Sequence, residues 1–305
     1  MANKVKPKQL SRPRRDVILN FPVEEEGRLL LEYVTSKMPQ ATRTTLKSYL
    51  RHNQIAIDGV PCNQFDHELA AGSLVQVNTT REFQVLNNRR LQIVHEDNDV
   101  IVAIKGYGLL SIGTDRKKDQ TAYSILREYV KWKDPSNKIF IVHRLDQHTS
   151  GLMMFARNME SKERMQHNWN NMVLERTYYC VVEGKVEEND GIIRSYLAEN
   201  TQHEMYSVED PKLGQLAVTR WRVVKRGNGY SLLEVSLDTG RKNQIRVHMK
   251  EMGHPIAGDR KYGAKTSPIH RLALHAGTLR LVHPITRRDM NFKTPIPSGF
   301  MKMVN

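Results

Sequence analysis

Beyond about residue 91 the apolar positions of this chain come in short bursts, not in long helical stripes. Val100–Ile104, Ile139–Val142, Leu152–Phe155, Tyr178–Val182, Leu232–Leu237 and Ile245–His248 are apolar or alternating runs of four to six residues between polar or turn-forming neighbours. Runs of that length predict strands buried in a core. Helical patterning is confined to about 121–131 and 159–171. Gly227-Asn228-Gly229 marks a tight hairpin. Many strands with a few interspersed helices predict an α+β domain on a mainly antiparallel sheet. No internal period of about 20–50 residues recurs, which argues against a solenoid or propeller.

The first part of the chain reads differently. Leu29, Leu30, Tyr33 and Val34 fall at helical spacing. Thr42 is placed to cap a second helix running to about His52. Leu46 and Leu50 share one face of it, and Arg43, Lys47 and Arg51 form a basic stripe on another. Asn53 tolerates the left-handed conformation that ends a helix. Ile55–Ile57 and Val60 flank Asp58-Gly59, a hairpin signal, and Ala71-Gly72-Ser73 turns into a strand at Leu74–Val77. The expected organisation is a small α/β module over about 17–80, a linker over about 81–93 and a larger domain over 91–305.

Charge narrows the partner. The formal net charge is +14 and the pI about 9.7, an excess that favours a polyanion, nucleic acid first. Residues 1–16 carry Lys4, Lys6, Lys8, Arg12, Arg14 and Arg15 and are expected to be a flexible basic arm that touches phosphates. No apolar run approaches the roughly 18–20 residues that cross a bilayer, and the N-terminus lacks the apolar segment of a secretory signal. Only two cysteines, Cys62 and Cys180, are present, which excludes a disulfide framework and fits a cytoplasmic protein. The twelve histidines show irregular spacings without a zinc-type motif, so no metal is expected. His143 and His248 are expected to hydrogen-bond within the loops around the site below.

The densest chemistry lies in His143-Arg144-Leu145-Asp146-Gln147-His148-Thr149-Ser150-Gly151-Leu152. A polar turn between two apolar runs places Asp146 on a loop at the end of a core strand, where scaffolds present catalytic groups. Taken alone, Asp146 is better explained as a turn cap paired with Arg144. The whole segment, however, closely resembles the HRLDxxTSGL signature of the RluA-type family of RNA pseudouridine synthases. Further segments resemble that family in the same order. They are Lys105–Leu110 (with Gly106 for Pro), Glu175–Tyr178 (with Arg176 for Lys), Leu237–His248 (with Asn243 for His), and Gly253–Gly263 followed by Arg271–Ala276. The stretches 42–62 and 69–77 resemble the alpha-L RNA-binding domain of some ribosomal proteins.

The resemblance implies a fold and a set of roles. The fold is α+β: a catalytic domain on a mainly antiparallel mixed β-sheet with flanking helices and loops, plus the small N-terminal RNA-binding module. The reaction breaks the bond between ribose carbon 1 and uracil N1, turns the base and rejoins it through carbon 5. A carboxylate acting as nucleophile or base suffices for that, without a cofactor. Asp146 is the implied carboxylate. Burial alone would protonate the acid, and a permanent cation beside it prevents that; the resemblance gives that place to Arg246. It gives Tyr178 a position on the uracil and help with the carbon 5 proton, and gives Arg144 the gap left by a flipped uridine. It also makes Leu274 a wall of the uracil pocket, with Leu272 an equal candidate. Plainer readings are a surface pair for Arg246, a core tyrosine for Tyr178, a local ion pair for Arg144 and a solvated face for Arg43, Lys47 and Arg51. The expected protein is a monomeric, cytoplasmic RNA pseudouridine synthase acting on structured RNA, large-subunit rRNA before tRNA. The rivals are a non-catalytic ribosome-assembly factor that keeps the fold and a metal-dependent RNA hydrolase.

Overall fold

A computed structural model of the protein describes residues 17–83, 86–113 and 120–305. The expected basic arm lies outside them. The chain divides into two compact units, one up to Val85 and one from Leu86 on.

In the first unit, β1 (Ile18–Pro22), β2 (Arg28–Leu29), α1 (Leu30–Lys37), α2 (Arg43–Arg51), β3 (Ile55–Ile57), β4 (Val60–Pro61), β5 (Glu68–Leu69) and β6 (Leu74–Asn78) follow in order. The main sheet has the order β1-β6-β3-β4, with β2 and β5 paired separately. α2 starts where its sequence says: the Thr42 hydroxyl accepts the Thr45 N–H at 3.2 Å. It is followed by Asn53 in the left-handed region, φ 51°. Asp58 and Gly59 both have positive φ, the geometry a two-residue hairpin needs to match strand twist. Leu46 and Leu50 join Leu30, Val34, Ile55, Val75 and Val77 in the core, while Arg43, Lys47 and Arg51 stay exposed.

The second unit contains β7 (Leu91–Glu96), β8 (Val100–Lys105), α3 (Ala122–Lys133), β9 (Phe140–Ile141), β10 (Ser150–Ala156), α4 (Met159–His167), α5 (Trp169–Met172) and β11 (Val173–Glu183). It continues through β12 (Asp190–Glu199), β13 (Met205–Val208), β14 (Gln215–Gly227), β15 (Tyr230–Leu237), α6 (Gln244–Glu251), β16 (Leu274–Val282), β17 (Asp289–Lys293) and α7 (Ser298–Met303). Its sheet has the order β13-β12-β14-β15-β11-β16-β10-β8-β7, with β17 on β16 and β9 on β10. The β10–β16 contact is its one parallel pairing among the described residues; the rest are antiparallel. β10 is buried along its whole length, so its sequence is a continuous apolar run with no alternation. Gly151 is required where β10 meets β16: φ is 118° and a Cβ there would lie 2.2 Å from the Ala276 carbonyl oxygen.

Three sequence expectations are corrected. Ile245–His248 is the first half of α6, not a strand; Ile-Arg-Val-His alternates apolar and polar as a strand does, and with every residue from Gln244 to Met249 buried four positions show no helical stripe to oppose that reading. Of Ile139–Val142 only Phe140–Ile141 pairs. The helix expected over 159–171 ends at Asn168, whose side-chain amide donates to the Arg164 carbonyl, and a single turn follows.

Candidate active site

Asp146 sits on the loop entering β10, and that loop is braced from below. The Ser111 hydroxyl donates to the Leu145 carbonyl at 2.6 Å and accepts the Leu145 N–H at 3.1 Å. Thr149 N–H closes the turn on the Asp146 carbonyl. Lys105 is fully buried, and its ammonium donates to the carbonyls of Gly106, Leu109 and Gln147 at 3.2, 2.8 and 3.1 Å. Three acceptors match the three protons of an ammonium. Burial pushes Lys105 down to about 7, against the pull of Asp146. Gly106, which stands where the family pattern has Pro, donates its N–H to the Arg90 carbonyl at 2.7 Å, a bond a proline does not make. The turn is therefore pinned by hydrogen bonds instead of by a ring.

A second segment, Leu237–Gln244, faces this loop. Gln244 is buried and ties it together: its carbonyl oxygen accepts from the Thr239 hydroxyl and Arg241 N–H, and its amide donates to the Val218 carbonyl and Thr219 hydroxyl. Asn243 then turns into α6 through a left-handed backbone, φ 53°. From there its Nδ2 donates to Asp146 Oδ2 at 2.5 Å, and its side-chain oxygen Oδ1 accepts from the Tyr262 hydroxyl at 3.2 Å. One turn on, Arg246 Nη1 lies 3.6 Å from the same Asp146 Oδ2. Both contacts fall on Oδ2, and Oδ1 accepts no hydrogen bond among the described residues.

Arg246 is held mainly elsewhere. Its Nε and Nη2 donate to the two carboxylate oxygens of Asp259 at 2.7 Å each, and its guanidinium lies 4.8 Å from the Tyr262 ring centroid. Burial alone would weaken the charge; Asp259 first and Asp146 second more than restore it. The plain surface-pair reading of Arg246 is thereby excluded, since the side chain is 10% exposed and Asp259 1%.

Tyr178 lies in β11 at a register shift against β16 between Thr177 and Tyr178, the kind of bulge that re-aims a side chain beside a site. Burial raises its hydroxyl pKa, opposed by Arg176 and reinforced by Asp146, so the phenol is protonated at neutral pH. One cavity of about 60 Å³ is lined by Asp146, Tyr178, Arg246, Arg144, Arg241 and Leu274, among others. Leu272 does not line it. Arg144 is exposed and makes no ion pair among the described residues, which removes its local-pair reading.

Sequence reasoning overlooked Asn243, Lys105, Asp259 and Tyr262 as parts of this site. The last two were visible as the acid and the aromatic of Gly253–Gly263; a buried arginine needs an anion, and that segment supplies one. His248 is corrected too: it bonds Thr219 and Ser195 at 2.8 and 3.0 Å within the sheet and not a loop around Asp146. His143 accepts the Met154 N–H and packs against Trp169.

Among the described residues, Asp97, Asp99 and His283 bring potential metal ligands within 4.8 Å of one another. Yet His283 Nδ1 accepts the N–H groups of Ile285 and Thr286. Its single proton is then on Nε2, donated to Asp97 at 3.1 Å, so the arrangement is already complete as a turn clasp.

Fold and site together define a class: an α+β domain that presents one carboxylate, held by a single oxygen, in an arginine-rimmed cavity suited to a polyanion. The sequence pattern of the family described as RNA pseudouridylate synthase matches residues 99–251. The chain is 30% identical over 289 residues to the RNA pseudouridine synthase YlyB of Bacillus subtilis, covering 92% of this chain and 94% of that protein. It is 28% identical over 301 residues to ribosomal large subunit pseudouridine synthase D of Haemophilus influenzae, with 92% of each covered. In fold it is similar to human RNA pseudouridylate synthase domain containing 4, with TM-score 0.57 and 24% identity over 69% of this chain and 90% of that one. The chain belongs to the RNA pseudouridylate synthase family, and its reaction is the isomerisation of uridine to pseudouridine in RNA.

Proposed function

We propose that the protein modifies uridine in large-subunit ribosomal RNA and that Asp146 carries the reaction. The observation that supports this most is the grouping of Asp146, Tyr178, Arg246, Arg144 and Leu274 around one cavity, with both contacts of Asp146 on Oδ2. Oδ1 is then available to act at ribose carbon 1 as the bond to N1 breaks. Arg246 and Asn243 hold the carboxylate in place. After the base turns and carbon 5 bonds to carbon 1, the carbon 5 proton leaves and N1 takes up a proton. Tyr178, a neutral phenol, relays that proton instead of collecting it as phenolate. Arg144 fills the gap left by the extruded uridine, and Leu274 packs against its base.

The first unit serves as an alpha-L-type RNA grip through Arg43, Lys47 and Arg51, which stand four apart and exposed on α2. The rRNA target rests on that second grip and on relatives named as ribosomal large subunit synthases. No helix among the described residues is long and apolar enough to cross a membrane; a cytoplasmic monomer working without cofactor or metal fits the chemistry. Mapping pseudouridine across rRNA and tRNA from cells with and without the gene tests the target. The expected result is one or more sites lost from large-subunit rRNA. Loss confined to tRNA overturns the rRNA assignment.

A further inference from the structure

A second, larger cavity of about 460 Å³ adjoins the one at Asp146 and shares Arg144, Tyr178, Leu237 and Arg241 with it. Its size is that of a small-molecule site, typically ~300–1,000 Å³, whereas the cavity at Asp146 is about 60 Å³. Its far wall is aromatic and cationic. Half-buried Trp169 packs against His143 at 5.2 Å, and the Arg176 guanidinium lies over the Trp169 ring, 5.7 Å from its centroid, so that guanidinium and ring form one layered wall. Burial and Arg176 push His143 down to about 3. With Nε2 taken by the Met154 N–H, the neutral ring carries its proton on Nδ1. Asn170 adds a side-chain amide, and Gln166, whose Nε2 donates to the Ile141 carbonyl at 3.5 Å, adds an accepting oxygen. The one acid on the wall, Asp238, is already paired with Arg220 at 3.0 Å.

We propose that this cavity holds the nucleotide adjacent to the target uridine, its base stacked at Trp169–Arg176 and its phosphate on Arg241, while Arg144 stays in the gap left by the uridine. A flat aromatic wall beside a guanidinium suits any base face. Arginine in place of lysine at position 176 supplies a plane that stacks, which an ammonium does not. The amides of Gln166 and Asn170 face the base edge and give this subsite its sequence preference. Asp146 lines only the smaller cavity, so the reacting ribose belongs there and the strand continues past the two shared arginines. The inference rests on the RNA-modifying role proposed above.

The test uses the full chain and rRNA prepared from cells lacking the gene. Trp169→Leu keeps apolar bulk against the core and removes the stacking plane; Trp169→Phe keeps a plane. Trp169→Leu is expected to raise KM about 5- to 150-fold, the equivalent of ~1–3 kcal/mol per stacked base, with kcat within about twofold, and Trp169→Phe to restore most of the affinity. Independently, pentauridylate should quench tryptophan fluorescence of the parent but not of Trp169→Phe. A parental KM in Trp169→Leu overturns the proposal. If Trp169→Leu is unfolded by its melting curve, fluorescence decides, and equal quenching in parent and Trp169→Phe overturns it. A parent inactive on rRNA but quenched at Trp169 would sink the rRNA target and leave the subsite standing.

Discussion

Asp259→Asn keeps the side-chain shape and removes the charge that holds Arg246. In the native site both carboxylate oxygens accept from the guanidinium at 2.7 Å, with 1% of Asp259 and 10% of Arg246 exposed. Removing one partner of a buried pair costs about 3–5 kcal/mol. The amide oxygen keeps one bond, and Asp146 at 3.6 Å retains part of the neutralisation, so about 3 kcal/mol is expected. For the unit spanning residues 86–305, each kcal/mol moves the midpoint by about 2–4 °C, giving a drop of about 6–12 °C. The freed guanidinium also closes on Asp146 and engages the oxygen needed at the ribose, so kcat should fall more than KM rises. Thermal unfolding by circular dichroism and steady-state kinetics on rRNA read both effects. A midpoint within 2 °C of the parent together with parental kcat would refute the assignment of Asp259 as the anchor of Arg246.

Tyr178→Phe keeps the ring and removes the relay; RNA binding and melting should stay near parental while turnover falls roughly 10²–10⁴-fold, and a parental rate leaves Tyr178 as a stacking surface only. Burial pushes His248 and His275 each down to about 4, below their unfolded value of about 6.5. The unfolded chain thus binds more protons between those values, so stability is full above about pH 6.5 and falls as pH drops toward 4, by on the order of 2 kcal/mol per histidine at pH 5. Urea unfolding at pH 7 and pH 5 checks this, and His248→Asn should flatten the difference. RNA affinity should fall steeply with salt through counterion release. Removing residues 1–85 should shallow that slope yet leave a folded, active remainder, because every residue of the cavity lies beyond position 143; an insoluble remainder, or one with undiminished affinity, contradicts two separable functions.

The parts of this structure written in local chemistry were legible in the sequence. Thr42 capped its helix, Asp58-Gly59 made its hairpin, and Leu152–Phe155 formed a buried strand, because a cap, a turn and an apolar run each act over a few neighbouring residues. Asp146 was found because a dense motif surrounds it. What the sequence hid was long-range pairing. The Asn243–Asp146 bond spans 97 positions and depends on a left-handed turn no pattern announces. The bidentate use of Arg246 by Asp259 needed the fold to bring α6 and the 253–263 loop together. Lys105 looks like an ordinary strand-end lysine until three carbonyls converge on it. Ile245–His248 was misread as a strand because its apolar and polar residues alternate, while α6 buries Arg246 and His248 together with Ile245 and Val247.

The central claim is that Asp146 carries the isomerisation from a carboxylate held at one oxygen. The most direct measurement is single-turnover pseudouridine formation by purified Asp146→Asn on rRNA from cells lacking the gene, with RNA affinity measured alongside. The account predicts RNA binding within a few-fold of the parent and no pseudouridine formed. Activity within tenfold of the parent would contradict it.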